Sequence, residues 1–179
     1  MSFIRTAALM LVAFVGCASG PKPASEVQPL EQRAQASLTE MTAKDPTLRD
    51  VLATAPAYAV FPSVGKGGVI VGGAYGDGIL YENGRPTGTV TLKQASIGAQ
   101  LGGQTFSELL VLRNPVDIQR LKAGRYDVSA DASVVALTAG AAANANMQSG
   151  TAVFIMPRGG LMVDISVAGQ KIDYQPLAG

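Results

Sequence analysis

Any chemistry in this chain has to be done without histidine and with a single thiol, Cys17. That removes the usual proton shuttle, most zinc sites and any disulfide within the chain. Phosphate is the first ligand to consider, because Gly65-Lys66-Gly67-Gly68 joins a cation to backbone that can approach an anion closely. The spacing fits neither nucleotide fingerprint, since Ile70 and Tyr81 stand where a third glycine is needed after Gly65 and Gly76. Two readings of Lys66 stay open: a lipid head-group contact, and the plainer one of a tight turn with an exposed lysine. Asp127, Ser129 and Asp131 alternate like the start of a calcium loop, but Ala132 replaces its glycine and Thr138 its closing glutamate. The same parity expects all three on the solvated face of one strand. A serine nucleophile would need Lys66 or Lys93 as base, and a glycosidase-type carboxylate pair would need Asp77 beside Glu108. No local pattern assembles either. The expectation is a protein without catalytic activity, metal or cofactor.

Cys17 carries a different chemistry. It follows Ala7–Gly16, ten uncharged apolar or small residues. A membrane span needs roughly 20, so the run suits a secretory signal occupying residues 1–16. Phe14-Val15-Gly16-Cys17 resembles the bacterial lipobox, with Phe14 in place of the usual leucine. That resemblance implies lipidation of Cys17, and Ala18 after it points to the periplasmic face of the outer membrane. Acyl chains bury about 0.8 kcal/mol per methylene, so anchoring needs nothing from the fold. Removing residues 1–16 also removes Arg5 and leaves a near-neutral chain, which disfavours nucleic acid as a partner.

The elements behind this address form one domain, because 179 residues with 47% hydrophobic content support a single core. Residues 17–29, rich in Ser, Gly, Pro and Ala, read as a flexible tether, and residues 30–179 as the domain. Leu30, Ala34, Leu38 and Met41 predict an amphipathic helix from Leu30, stopped by Pro46. A short helical turn with Leu48, Val51 and Leu52 follows. Twelve of the 21 glycines lie between Gly65 and Gly103 among β-branched and aromatic residues, which predicts a strongly curved sheet. Asn83-Gly84 predicts a hairpin joining Ile79–Glu82 to Thr87–Leu92. Further strands are expected at Ser96–Leu101, Glu108–Leu112, Tyr126–Val135, Thr151–Met156, Leu161–Val167 and Lys171–Tyr174. One middle helix interrupts them, capped by Asn114, started by Pro115, buried through Val116 and Leu121 and closed by Gly124. Ala139–Gly150 reads as small-residue loop or weak helix. Pro157-Arg158-Gly159-Gly160 and Ala168-Gly169-Gln170 read as turns. The fold class is α+β: N-terminal helices plus a strongly curved, barrel-like antiparallel sheet with one middle helix.

Val60-Phe61-Pro62-Ser63-Val64-Gly65-Lys66-Gly67-Gly68, followed by Val71-Gly72-Gly73-Ala74-Tyr75-Gly76-Asp77-Gly78, resembles the opening of the SYLF-domain family. Ser96–Gln104, Asp131–Ala136 and Gly159-Gly160-Leu161-Met162 are similar to its later motifs, in order and spacing, so the resemblance covers roughly Thr47 to Gln175. The chain departs from the family in lacking Trp after the hairpin and in carrying Phe154–Arg158 where a basic-serine stretch is usual. The resemblance implies a lipid-binding module, with phospholipid or a membrane surface as partner. The pool of cations for phosphate contacts is Lys66, Arg85, Lys93, Arg113 and Arg125. The alternative is a structural or partner-binding envelope lipoprotein.

Overall fold

The computed structural model describes residues 23–68, 71–97, 102–160 and 167–177. Cys17, the signal segment and most of the strand expected at Leu161–Val167 lie outside them. The first helix, α1 (Ala24–Lys44), starts before the expected Leu30. Val27 continues the buried stripe of Leu30, Ala34 and Met41 backwards by one turn, which outweighs the hydrogen bond that Pro29 cannot donate. Helix α2 (Leu48–Thr54) follows across Pro46.

Eight strands then form one sheet: β1 (Ala57–Gly68), β2 (Val71–Glu82), β3 (Arg85–Ile97), β4 (Gly102–Leu112), β5 (Tyr126–Asp127), β6 (Ser133–Ala136), β7 (Thr151–Gly160) and β8 (Lys171–Pro176). Their order is β5-β8-β3-β2-β1-β4-β7-β6. All pairs are antiparallel except β6 with β7, so the sheet is mixed rather than purely antiparallel. Asn83 and Gly84 take φ of 50° and 75° at the β2–β3 turn, the left-handed pair that a type I′ hairpin needs. Helix α3 (Pro115–Lys122) is capped as expected, with the Asn114 side chain accepting from Val116 N–H. Val116, however, is exposed, and Ile118 and Leu121 are the buried residues.

Three expected boundaries move. Ser96 and Ile97 extend β3 rather than opening a new strand. Pro157–Gly160 continues β7 instead of turning. Tyr126–Val135 splits into β5 and β6, so Ser129 and Asp131 leave the strand and the expected common face of Asp127, Ser129 and Asp131 is lost. The split has a topological cause. The two edge strands, β5 and β6, are consecutive in the chain and are joined only by residues 128–132. Such a link spans at most about 20 Å, whereas an eight-strand sheet laid flat is roughly 34 Å from edge to edge. The sheet must curl, and it forms a half-barrel. The Tyr126 hydroxyl on β5 and Thr151 Oγ1 on β7 meet at 3.1 Å, closing the seam with side chains.

Curling gives the sheet two apolar faces. The enclosed face holds Phe61, Val64, Leu92, Phe106, Leu110 and Ile172, with Ile118 and Leu121 of α3. The outer face holds Tyr58, Val60, Ile79, Tyr81 and Phe154 beneath α1 and α2. Glycines on the enclosed face make room for large neighbours. A Cβ on Gly78 would lie 2.7 Å from Phe61 Cδ1, and one on Gly76 2.9 Å from Val64 Cγ2. Ala139–Gly150 is mostly loop, with one 3-10 turn at Ala142–Asn144.

Candidate functional site

The enclosed face changes character toward its glycine-rich end. Gln104, Lys66, Ala74 and Gln94 are cross-strand partners in one row over β4, β1, β2 and β3. Lys66 and Gln94 are buried, at 6% and 8% exposure. Lys66 is therefore neither in a tight turn nor an exposed lysine. The reason is a bulge between Val60 and Ser63, where the register of β1 slips. It reverses the alternation so that Val64 and Lys66, instead of Ser63 and Gly65, continue the inward set of Ala59 and Phe61. Pro62 lies in that bulge, and its carbonyl accepts from the buried Ser107 hydroxyl at 2.8 Å. Arg158 bonds Ser107 from the other side and pairs with Glu40 of α1 at 2.7 Å, fixing the bulge to the helix.

Deeper on the same face lies Glu108, fully buried between Phe106 and Leu110. Its Oε2 accepts from Gln170 Nε2 at 3.0 Å, a bond that crosses the half-barrel from β4 to the turn before β8. Among the described residues, Glu108 Oε1 and Gln170 Oε1 are buried without a hydrogen-bond partner. Burial pushes the Glu108 carboxyl up to about 7, while the Gln170 bond and the charge of Lys66 pull the other way. Gln94 closes the cluster by donating to the Ala168 carbonyl at 3.0 Å. One enclosed face thus carries both a buried lysine and a carboxyl whose pKa burial raises.

The other cations do not join it. Lys93 points outward and pairs with Asp173 at 2.8 Å. Arg85 is exposed beside the Asn83-Gly84 turn, at the opposite end of the strands from Gly65–Gly68. Arg113 follows β4 at that same far end and reaches Thr54 Oγ1 at 3.3 Å. Arg125 precedes β5 and lines a polar recess with Asp117, Arg120 and Asp131. The five thus fall on different faces and ends. Asp77 and Glu108 stand on opposite faces of the sheet, Asp77 accepting from Thr91 at 2.8 Å. They cannot flank one substrate. No group of three or more acidic or thiol ligands suited to a metal occurs among the described residues, and no described helix is long and apolar enough to cross a membrane.

Sequence reasoning weighed Glu108 only as a partner for Asp77 and passed over Gln170. The signal for Glu108 was present, a lone acid at inward parity in a run, Phe106–Leu112, that is apolar apart from Ser107. Gln170 had none, because only the curl brings it across the interior.

Fold and site together define an α+β half-barrel with a lysine and a carboxyl enclosed at its glycine-rich end. Residues 93–176, just under half of the chain, match the family model Ysc84, described as "Las17-binding protein actin regulator", so this segment is similar to the SYLF (Ysc84) family. The matched segment begins at Lys93, so β1 and β2 with Lys66 precede it. No curated protein matches the chain.

Proposed function

We propose that the protein is a non-catalytic lipid-binding module of the bacterial envelope, taking the phosphate of a phospholipid head group at the glycine-rich end of the half-barrel. The observation that carries the reading is Lys66, a cation turned into the sheet's enclosed face by the Pro62 bulge. The match of residues 93–176 to the Ysc84 model supports it, since the resemblance to that family implies a lipid-binding module. A lipidated Cys17 would add proximity. Only residues 18–22 separate it from Pro23 at the start of α1, a reach of at most about 20 Å. The early turns of α1 border a cleft with Ser63, Gly65 and Tyr75, so the anchor would hold the glycine-rich end near the bilayer. Tyr75, 55% exposed there, has the amphipathic ring suited to a membrane interface. Outer-membrane attachment on the periplasmic face is part of the same proposal.

The test is sedimentation of the chain from Cys17 onward, carrying Cys17→Ser and retaining every described residue, with phosphatidylglycerol and with phosphatidylcholine vesicles. Co-sedimentation with the anionic vesicles, weakened at least tenfold by Lys66→Met, is expected. Absence of binding to either vesicle refutes the proposal. The family's description names a protein partner, which favours a second reading in which the half-barrel docks on an envelope protein. Capture of one stoichiometric partner, with vesicle binding absent, would select it.

A further inference from the structure

Lys66 and Glu108 share an enclosure in which Glu108 has no surface exposed and Lys66 retains 6%. Lys66 is therefore the member nearer to solvent. Among the described residues, the charged or titratable groups facing Glu108 are few. Its register partners are Phe61 on β1 and Ile155 on β7, the neutral Gln170 amide bonds it from the turn before β8, and the charge of Lys66 acts on it from β1; Ile118 and Leu121 of α3 and Tyr126 of β5, whose hydroxyl is engaged with Thr151, belong to the same enclosed cluster. Whatever else Lys66 contacts, ionising Glu108 adds one negative charge to this small volume and protonating it removes that charge. In a medium of low dielectric, a unit charge close enough to act on Lys66 alters anion affinity at that lysine.

We infer that Glu108 is a proton-operated selector for the anion site: its neutral form lets the enclosure accept a phosphate or phosphodiester beside Lys66, and its carboxylate form excludes it. The inference rests on the lipid-binding reading and adds its regulation. Geometry supports both forms. Oε2 keeps the Gln170 bond in either state, while Oε1, which has no partner, is free to carry the proton. Burial sets the working range, since the carboxyl titrates at about 7. By linkage, each anion bound at pH above 7 must take up close to one proton from solvent.

The experiment follows binding of the same Cys17→Ser chain to phosphatidylglycerol vesicles, whose charge is constant over the range, between pH 6 and pH 8. If only the protonated form binds, affinity falls about tenfold across that interval, as the competent fraction does. Glu108→Gln, which keeps the shape and cannot ionise, is expected to bind at pH 8 as tightly as the parent does at pH 6. Calorimetry of the unmutated Glu108 chain at pH 7.5, in two buffers of different ionisation enthalpy, is expected to show proton uptake, and it does not depend on a variant folding. Binding with a flat pH profile and no proton uptake overturns the inference while leaving lipid binding intact. Absence of binding at every pH overturns both.

Discussion

Two buried carboxyls, Asp45 and Glu108, have solved the same problem in opposite ways. Both are wholly inaccessible. Asp45 sits at the α1–α2 junction under the outer face and accepts four hydrogen bonds: from Thr47 N at 3.1 Å, Thr47 Oγ1 at 2.7 Å, Gly140 N at 3.1 Å and Ala142 N at 2.7 Å. Burial alone would raise its pKa, but these donors outweigh it and hold the carboxyl below its usual range. Glu108 accepts one hydrogen bond, keeps an unpartnered oxygen and is pushed up to about 7. A buried acid whose donors are supplied stays charged and serves as a clamp, and one left short of donors becomes a group that titrates under working conditions. The clamp joins segments far apart in sequence, and the titrating acid lies on the same enclosed face of the sheet as the lysine.

The largest effect that would break this contrast is Asp45→Ala. It strands four donors at the junction of α1, α2 and the Ala139–Gly150 loop, and a loss on the order of 4 kcal/mol in urea unfolding is expected. A loss below about 1 kcal/mol would show that Asp45 is not a clamp. The pH dependence of stability separates the two acids by sign. A depressed acid such as Asp45 stabilises above its unfolded pKa, and the contribution is lost as pH falls through the lower folded value. A raised acid such as Glu108 leaves the fold at its most stable below the unfolded value, and stability drains as pH rises from about 4.5 to about 7. The shift corresponds to a step of about 3 kcal/mol. Glu108→Gln is expected to remove that step, so that the variant is more stable than the parent at pH 8 and similar to it at pH 4.5.

The pair also shows what could be read from sequence. The Asn83-Gly84 hairpin, the Asn114 and Pro115 start of α3 and the curvature of the glycine-rich strands were legible because each is decided by local backbone chemistry. Which way Lys66 points was not, because strict alternation fails at one bulged residue, and only Pro62 hinted at it. The division of Tyr126–Val135 between two edge strands depends on closure of the whole sheet, which no segment encodes alone. Asp45 was equally hidden. Its donors at Gly140 and Ala142 lie almost a hundred positions away, in a loop whose small-residue composition gives no sign of them. Glycines carry a subtler record of the enclosed face. Gly78→Ala drives a Cβ against the Val60 carbonyl and to 2.7 Å from the Phe61 ring, and overpacking of this kind is expected to cost about 1–3 kcal/mol in thermal unfolding. Gly84→Asn, which keeps a residue tolerant of the left-handed turn and meets nothing within 4 Å, is the matched control.

The smallest effect is expected at Lys93, and it tests the contrast from the other side of the sheet. Lys66 and Lys93 both belong to the pool of cations a phosphate could use, yet one is enclosed and the other has a side chain 57% exposed and paired with Asp173 at 2.8 Å. The bond to Asp173 raises the Lys93 pKa, but solvent and salt screen an exposed pair, and its worth is below about 1 kcal/mol. Lys93→Met should therefore shift the unfolding midpoint slightly, by an amount that shrinks further in 0.5 M salt, about three times a physiological ionic strength of roughly 0.15 M. Its effect on phosphatidylglycerol binding should be equally modest and equally salt-sensitive, because an outward lysine acts only through the general field of the surface. Lys66→Met should weaken binding at least tenfold in either salt. If the two variants lose binding equally, the anion is held by the outer surface, and burial of Lys66 has no part in it.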